Sequence, residues 1–469
     1  MDPSALETLS PSRYVTLTVP SPGTSPHPPP PPPPLRLSVL DSPFHDPSSS
    51  MVHVAGIRVP PVRSLDWTFS TEPGLLQLLL TLPSSICRLI VIDALQVEHQ
   101  DLTEHRLVPL VEAFSPKRGI PAKLGENAYS LSPEVVFLNY EDGIVASRTL
   151  EVCIGDVVGE MLVEDVEMEV DGGREFRRRL RFKRMPNLVQ SQVRIVPKDR
   201  SNDGGGSKPS LLGKDLIEFG LYDGDASGRD LVQPYLGPMV ASLSLMADHI
   251  EMRSESGLKV RVLCCGIGGG SLVRFLSEEL GFEVVGVEAD EAVLNVARKY
   301  FGLKDSEYDV KDRTRLVVGD AIQILEKIGS RATTGGCSED NDGIWVGGIF
   351  DAVMVDLDSG DVRSGVVAPP LEFVEKSVFL AARRILCDRG ILVVNVIPPN
   401  KLFYQTLMEE MREVFLELHE IDVGNEENFV LIGAANSIKE QPSAGAGWFV
   451  KKLNAAIPGE LTASIKKVW

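Results

Sequence analysis

The sequence lacks an uninterrupted apolar run long enough to cross a membrane, although 43% of its 469 residues are hydrophobic. A spanning helix needs about 20 consecutive apolar residues, so we predict no membrane segment and no membrane partner. The first residues, MDPSALETLS, lack both the basic and the apolar region of a secretory signal, and they are neither arginine-rich nor poor in acids, unlike a transit peptide. We therefore expect a cytoplasmic protein.

Cysteine and histidine are scarce, at six and seven residues. No two cysteines have the CxxC spacing of metal and redox motifs, and their positions do not form a disulfide framework. The closest histidines, His99 and His105, do not have the spacing of neighbours on one helix face. We expect reduced thiols that mostly serve packing, and no metal site.

Positively charged residues are also few. The sequence has 47 lysines and arginines but 66 aspartates and glutamates, which gives a formal net charge of −19. Binding to a phosphate backbone depends on cations that release counterions, so nucleic acid is not an expected partner. An acidic surface instead favours encounter with a basic macromolecule. The single basic run, REFRRRLRFKR at 174 to 184, alternates with apolar residues and predicts the exposed face of a strand, with a recognition patch as the alternative.

The most informative segment is VRVLCCGIGGGSLVRF, at 260 to 275. An apolar strand leads into a glycine turn, and a helix begins near Ser271. The turn lets the backbone approach a ligand where a Cβ would collide; its glycines are Gly266, Gly268, Gly269 and Gly270. The next apolar run ends at Glu288, where a carboxylate can accept both hydroxyls of a ribose. The pattern predicts a nucleoside-binding site.

Further acids follow the next two predicted strands. Asp320 and Ala321 follow LVVG, and Asp356 and Asp358 lie in FDAVMVDLDSGD. A dinucleotide fingerprint favours Gly or Ala where this chain has Ser271, which weakens a dehydrogenase interpretation. The order of the four strand ends resembles class I methyltransferases instead, which implies that Asp320 lies near the adenine amine and Asp356 beside the methyl donor.

Composition divides the chain into four predicted parts. They are an N-terminal segment with a proline-rich loop, 1 to 50; an α+β accessory region, 51 to 195; a linker or loop, 196 to 229; and a nucleoside-binding domain, 230 to 469. Two short runs flanking the prolines are expected to pair as strands, and Asp142-Gly143 and Asp171-Gly172-Gly173 predict antiparallel hairpins. After 230 the alternation of strands and helices predicts a Rossmann-like α/β fold, with a parallel-dominated sheet of seven strands. Five strands are expected near 260, 284, 315, 350 and 390, and FLELHEID and NFVLIGAAN form the closing antiparallel pair. A Gly-rich insertion at 329 to 348 is expected to be a mobile surface loop.

Several motifs together resemble the spermidine-synthase-like class I methyltransferases, and within them the C-terminal half of the elongation factor 1-alpha lysine and N-terminal methyltransferase family. The motifs are GIGGGSLVRF, VMVDLDSGD with APPLEFVEKSVFL, ILVVN and RRLRFKRMPNLVQSQ, and weaker similarity extends from about residue 51 to the end. The resemblance implies a protein N-methyltransferase that uses S-adenosyl-L-methionine. Its implied substrate is elongation factor 1-alpha, methylated at the N-terminal α-amine or, as the second choice, at a lysine. A homodimer is left open.

The resemblance also implies site residues. The cofactor would contact Gly266, Gly268, Gly269, Gly270, Glu288, Asp320, Ala321 and Asp356, and the catalytic candidates are Asp356, Asp358 and Asn395. Asp356 would meet the donor's amino group or the incoming amine, and Asn395 would accept a hydrogen bond from that amine. Asp358, with Ser359, is either polar support or a helix cap. Asn187 and Gln190 are turn residues or site residues.

Two alternatives stay open. Spermidine synthases, which are aminopropyltransferases in polyamine synthesis, carry an aspartate where this chain has Gly269. Without that negative charge, the α-carboxylate of intact S-adenosylmethionine is not repelled, so aminopropyl transfer is the weaker interpretation. The other alternative is a catalytically inactive scaffold that keeps the nucleoside site but has no productive acceptor pocket.

Overall fold

The computed structural model describes residues 6–21, 34–43, 53–60, 63–94, 103–117, 133–171, 173–198, 211, 218–221, 231–304, 314–332, 349–360, 362–364, 368–424, 428–438 and 447–469. Most of the proline run, most of the predicted linker and residues 333–348 of the glycine-rich insertion predicted at 329–348 lie outside these residues, whereas residues 329–332 belong to the helix that ends at Ala332. The chain forms two compact units. Unit 1 comprises 1–144 and 183–188, and unit 2 comprises 145–182 and 189–469. The predicted domain boundaries stay predictions.

Unit 1 is built on a five-stranded sheet in the order β1-β2-β4-β3-β5. Its strands are β1 (Tyr14–Val19), β2 (Leu35–Asp41), β3 (His53–Arg58), β4 (Ile86–Ala94) and β5 (Glu134–Leu138), and its helices are α1 (Trp67–Ser70), α2 (Glu72–Leu80) and α3 (Glu104–Ala113). The predicted pairing across the proline run is confirmed, because β1 and β2 are antiparallel. Thr71 caps α2, and Pro73 lies in its first turn, where no amide hydrogen is needed.

The hairpin predicted at Asp142-Gly143 is wrong. The strand before it, β5, pairs in parallel with β3, whereas the strand after it belongs to the other sheet. Asp142 instead accepts hydrogen bonds from the Arg63 guanidinium at 2.7 Å and from the Ile144 amide at 3.1 Å. An Asp-Gly pair specifies a local turn, but the strands it joins find their partners through the hydrophobic contacts of the whole unit.

Unit 2 contains a five-stranded antiparallel sheet in the order β10-β9-β8-β7-β6. Its strands are β6 (Ile144–Gly155), β7 (Gly159–Val170), β8 (Gly173–Phe182), β9 (Val189–Pro197) and β10 (Phe219–Leu221). The hairpin predicted at 171 to 173 is confirmed, because β7 and β8 are antiparallel and Val170 faces Gly173.

The basic run in β8 is not the exposed strand face that its alternation predicts. Arg179 and Arg181 are buried and both pair with buried Glu164 of β7, at 2.7 and 2.9 Å. Arg178 pairs with Asp165, which is also buried, at 2.8 Å. The acids that neutralise this run lie on the neighbouring strand, so the run is part of a buried ion-pair network that compensates for desolvation.

The second sheet of unit 2 has eight strands in the order β13-β12-β11-β14-β15-β17-β16-β18. The strands are β11 (Arg261–Cys265), β12 (Glu283–Glu288), β13 (Thr314–Val318), β14 (Phe350–Val355), β15 (Leu386–Val396), β16 (Glu417–Asp422), β17 (Phe429–Ala434) and β18 (Lys466–Lys467). The first five strands in this order are parallel, and the others are antiparallel. The predicted closing pair, β16 and β17, is confirmed, and the two-residue β18 is one strand more than predicted.

Helices cover both faces of this sheet, which explains why its central strands are continuous apolar runs. The helices are α4 (Leu236–Ala241), α5 (Ala247–Glu255), α6 (Ser271–Arg274), α7 (Glu291–Tyr300), α8 (Ala321–Ala332), α9 (Lys376–Ile385), α10 (Lys401–Arg412), α11 (Trp448–Ala456) and α12 (Gly459–Ala463). One core contains Val262 and Leu453, and the other contains Leu263 and Phe379. No helix in the described part of the chain combines the length and apolarity needed to span a membrane.

The strand order places the predicted site residues. The connections reverse direction between β11 and β14, and ligands of open α/β sheets bind at the carboxyl ends of strands at such a switch point. The glycine turn follows β11, and Asp356 follows β14. The amide of Asp356 donates to the carbonyl of Cys265 at 2.9 Å, which holds the two strand ends together.

Candidate functional site

The glycine turn after β11 has a backbone that only glycine adopts without strain. Gly266, Gly268 and Gly270 have φ angles of 86°, 53° and 83°. A Cβ on Gly266 would collide with the carbonyl oxygen of Asp356. The turn therefore brings bare backbone to the switch point, and this is the shape that a nucleoside cradle requires.

The antiparallel sheet of unit 2 supports this turn through Ser191 of β9. The Ser191 hydroxyl accepts a 2.6 Å hydrogen bond from the Gly269 amide and donates a 2.7 Å bond to the carbonyl of Gln190. A Cβ on Gly269 would lie 2.8 Å from the Cβ of Ser191 and 3.1 Å from the Phe301 ring. The structure therefore has no space for a side chain at position 269.

Glu288, at the end of β12, lies against the same turn. Its Oε2 accepts hydrogen bonds from the amides of Ile267 and Gly268 at 3.1 and 3.2 Å, and Oε1 accepts a longer one from Asp290 at 3.4 Å. Burial raises the pKa of this carboxyl group, and the backbone amides of Ile267 and Gly268 oppose the rise. Each carboxylate oxygen accepts more than one hydrogen bond, so Oε1 keeps capacity for a ribose hydroxyl.

Asp320 and Ala321 follow the neighbouring strand, β13. The amide of Gly319 donates to the carbonyl of Glu288 at 2.8 Å, so the ends of β12 and β13 are adjacent. Asp320 is exposed and caps α8 by accepting a 2.9 Å bond from the Gln323 amide, whereas Ala321 is buried. The observed cap accounts for one oxygen of Asp320, and its predicted contact with adenine stays a prediction.

Asp356 lies in a hydrogen-bonded group with two polar side chains. Its Oδ2 accepts a 2.8 Å bond from the Tyr235 hydroxyl, and its Oδ1 accepts a 2.9 Å bond from Nδ2 of Asn395. Burial raises the pKa of Asp356, while the bonds from Asn395 and Tyr235 lower it and nearby Asp358 raises it. Burial and the charge of Asp356 also raise the pKa of Tyr235, which keeps its hydroxyl protonated as a donor.

Asn395 is only 2% exposed, and its Oδ1 has no hydrogen-bond partner among the described residues. Because Nδ2 is engaged by Asp356, the amide orientation leaves the oxygen as the free group. A buried carbonyl oxygen without a donor is energetically unfavourable, at about 1 to 3 kcal/mol, unless a ligand supplies the donor. The Asn395 oxygen is therefore an unsatisfied acceptor next to a fixed carboxylate.

Asp358 and Gln190 are brought together, whereas Asn187 lies in unit 1. Nε2 of Gln190 donates to Oδ2 of Asp358 at 3.2 Å, and the hydroxyl of the adjacent Ser359 is buried with no partner in the described part of the chain. Nδ2 of Asn187 donates to the carbonyl of Gly74 at 2.9 Å, and the backbone amide of Asn187 donates to Oε1 of Gln77 at 2.8 Å. These bonds give Asn187 a role in the fold of unit 1.

No model of a known protein family matches the chain. The chain is 27% identical over 415 residues to the eEF1A lysine and N-terminal methyltransferase of Danio rerio, and 25% identical over 411 residues to that of Homo sapiens. These alignments cover 87% and 84% of this chain but 54% and 52% of the relatives. The predicted resemblance is confirmed. The chain is similar to the eEF1A methyltransferases over most of its length and spans about half of theirs.

Among solved structures, the chain matches human methyltransferase-like protein 13 in complex with SAH, with a TM-score of 0.37 and 22% identity. This alignment covers 50% of the chain and 95% of the solved one. A probable spermidine synthase from Corynebacterium glutamicum matches with a TM-score of 0.41 and 15% identity, over 68% of this chain and 89% of the other.

Four residues of the site were not predicted from sequence. Ser191 supports the glycine turn, and Tyr235 holds Asp356. Nε2 of Gln233 lies 2.9 Å from the Tyr235 hydroxyl and 3.1 Å from the carbonyl of Gln190, so it connects the two segments. Asp290 accepts hydrogen bonds from Val157 and Val158 and caps α7. Only Asp290 had a local signal, as an acid directly before a helix.

Proposed function

We propose that the chain is an S-adenosylmethionine-dependent protein N-methyltransferase whose acceptor is the N-terminal α-amine of elongation factor 1-alpha, with a lysine as the second choice. The observation that carries the proposal is the free Oδ1 of Asn395, which is buried beside the fixed carboxylate of Asp356. A neutral amine has the N–H groups that this oxygen lacks. The names of the relatives support both the reaction and the acceptor.

The residues around the glycine turn fit the cofactor. A Cβ at Gly266 would collide with the carbonyl oxygen of Asp356, so the turn presents only backbone at the ends of β11 and β14, and Glu288 at the next strand end keeps hydrogen-bonding capacity for ribose hydroxyls. We propose that Gly266, Gly268, Gly269 and Gly270 line the nucleoside and that Asp320 and Ala321 border the adenine. When bound, S-adenosylmethionine supplies a methyl group on a positively charged sulfur.

The polar group around Asp356 positions the acceptor. Asn395 Oδ1 accepts one N–H of the incoming amine and thereby directs the nitrogen lone pair, while the anionic Asp356 lies beside it. Asp358 and Ser359 provide further polar contacts. The new bond joins this nitrogen to the methyl carbon as the bond to sulfur breaks, and the nitrogen then loses one proton to solvent. Holding the amine in line with the methyl group is the main contribution of the protein.

The acid–base chemistry of the acceptor favours the α-amine. An α-amino group has a pKa of about 8, whereas a lysine has about 10.4, so a larger fraction of the α-amine is neutral at pH 7. A neutral lone pair is required for attack. A lysine acceptor would need additional help with deprotonation, and this is why we place lysine second.

Aminopropyl transfer is disfavoured by the packing at Gly269. Spermidine synthases carry an aspartate at the position that corresponds to Gly269. In this chain, Ser191 and Phe301 already occupy the space that the side chain of such an aspartate would need. An inactive scaffold stays as the alternative, and it predicts cofactor binding without transfer.

The test uses labelled S-adenosylmethionine with elongation factor 1-alpha that has either a free or an acetylated N-terminus, followed by mass spectrometry of the labelled peptide. We expect label only on the free N-terminus. Asn395→Ala should lower the transfer rate by about 10- to 100-fold, because it removes the hydrogen bond to the acceptor and the Nδ2 bond that holds Asp356. The control is Asn436→Ala, an exposed asparagine that bonds the carbonyl of Asp388.

The other outcomes separate the alternatives. Label on a lysine of the acetylated factor would move the proposal to lysine methylation. Label on putrescine, with decarboxylated donor, would overturn it in favour of aminopropyl transfer. Cofactor binding with no label on any acceptor would favour the scaffold.

A further inference from the structure

A second group of ligand-type side chains lies at the opposite ends of the strands that carry the candidate site. The group consists of three residues: His249 of α5, Asp351 near the start of β14 and Cys387 near the start of β15. Each residue directs one ligand atom toward the other two. Nε2 of His249 is 2.7 Å from Oδ1 of Asp351, and Sγ of Cys387 is 3.6 Å from that nitrogen and 3.5 Å from that oxygen. His249 and Asp351 are buried, and Cys387 is half-buried.

Two of these three distances match a tetrahedral zinc site. A zinc ion binds a thiolate at about 2.3 Å and an imidazole nitrogen or carboxylate oxygen at about 2.1 Å, which places the sulfur about 3.6 Å from each of the other two ligands. The two observed sulfur distances agree with this value. The nitrogen–oxygen distance of 2.7 Å would have to widen by about 0.7 Å when the ion binds.

The second oxygen of Asp351 is used elsewhere, which orients the first toward the group. Oδ2 accepts a 2.8 Å hydrogen bond from the Arg261 amide and lies 3.3 Å from Nε of Arg253. A zinc ion with one thiolate, one carboxylate and one neutral imidazole carries no net charge, so Arg253 can stay beside Oδ2 without repulsion. A carboxylate ligand held by such outer hydrogen bonds is typical of protein metal sites.

We propose that His249, Asp351 and Cys387 bind one zinc ion, with a water molecule as the fourth ligand on the half-exposed side of Cys387. Binding replaces the thiol proton of Cys387, which passes to solvent. The proton between Nε2 of His249 and Asp351 moves to Nδ1 of the same ring, which has no hydrogen-bond partner among the described residues. The ion would join α5 to the starts of β14 and β15, the strands whose other ends carry Asp356 and Asn395. The inference does not depend on the proposed function, because it rests on the opposite end of the sheet.

The test measures metal binding by the full-length chain after chelator treatment and dialysis. We expect one zinc per chain by elemental analysis, a higher unfolding temperature with zinc, and, with cobalt, the charge-transfer band of a cobalt–thiolate bond. Cys387→Ser should weaken zinc binding by at least tenfold and remove that band. Cys153→Ser is the control, because Cys153 is also partly buried but lies on β6, outside the group.

His249→Gln provides a second variant in case Cys387→Ser does not fold, with folding checked by circular dichroism. It should weaken zinc binding while keeping the cobalt–thiolate band at saturating cobalt. Wild-type protein that binds less than a stoichiometric amount of zinc would overturn the proposal, since His249, Asp351 and Cys387 would then be an ordinary hydrogen-bonded group. Equal binding by wild type and Cys387→Ser would also overturn it.

Discussion

The hydroxyl of Tyr235 donates a 2.8 Å hydrogen bond to Oδ2 of Asp356, across 121 positions of sequence. The opposite oxygen accepts from Asn395, so the carboxylate has a donor on each side. Two fixed donors hold its plane and favour its charged form although it is buried. Nothing in the segment before α4 marks Tyr235 as a site residue, yet its hydroxyl limits the orientation of Asp356.

Replacing Tyr235 with phenylalanine should shift the pH dependence of methyl transfer. The Tyr235 hydrogen bond lowers the pKa of Asp356, so its loss raises that pKa further above the ordinary value. If the charged form is the active one, the acidic limb of the kcat/KM profile moves to higher pH. The control is Tyr404→Phe, because Tyr404 also donates to a carboxylate, that of Glu420, outside the site. An unchanged acidic limb in Tyr235→Phe would show that Asp356 does not titrate in catalysis.

Gly266→Ala should abolish measurable cofactor binding and destabilise the fold. The added Cβ collides with the Asp356 carbonyl, and the φ of 86° costs a non-glycine residue about 1 to 2 kcal/mol. Gly159→Ala is the matched control, because Gly159 has a φ of 74° with no atom within 4 Å of an added Cβ. Titration of S-adenosylhomocysteine and urea unfolding of both variants separate collision from backbone strain. Equal effects in the two variants would contradict close contact at Gly266.

Asp290→Ala should lower the free energy of unfolding by about 2 to 4 kcal/mol, because three backbone amides lose their acceptor. Oδ2 accepts from Val157 at 2.7 Å and Val158 at 3.0 Å, and Oδ1 accepts from Ala292 at 3.0 Å. Asp422→Ala is the control, since this exposed acid accepts from the Gly424 amide in a local turn. A loss no greater than that of the control would show that Asp290 does not join the two sheets.

The effect of Asp290 should depend on pH with a defined sign. Burial raises its pKa, but the amides of Val158 and Val157 lower it more, so the folded value lies below the ordinary one. The contribution of Asp290 to the free energy of unfolding is therefore complete above the pKa of the unfolded state, about 3.9. This contribution is lost as the pH falls through the pKa of the folded state. Urea titrations should show the difference between wild type and Asp290→Ala narrowing below about pH 4. A difference that grows with acid would contradict this assignment.

Much of the Rossmann-like sheet could be predicted because its signals are local. Buried parallel strands appear as apolar runs, and the five predicted near 260, 284, 315, 350 and 390 all exist. The glycine turn and the acids at the strand ends were also visible, since they lie at fixed positions after each run. The hairpin at Asp142-Gly143 was predicted wrongly because strand partners are chosen at long range.

The sequence by itself determined where the chain makes its tight turn after β11, because only glycine tolerates the positive φ angles and the close contact with Asp356 that are found there. It also determined the type of the strands through their apolar runs. The tertiary structure alone decided which polar groups meet. Tyr235 reaches Asp356, Ser191 reaches Gly269, and His249 reaches Asp351. Such contacts depend on the packing of elements far apart in the chain, and no local pattern of residues encodes them.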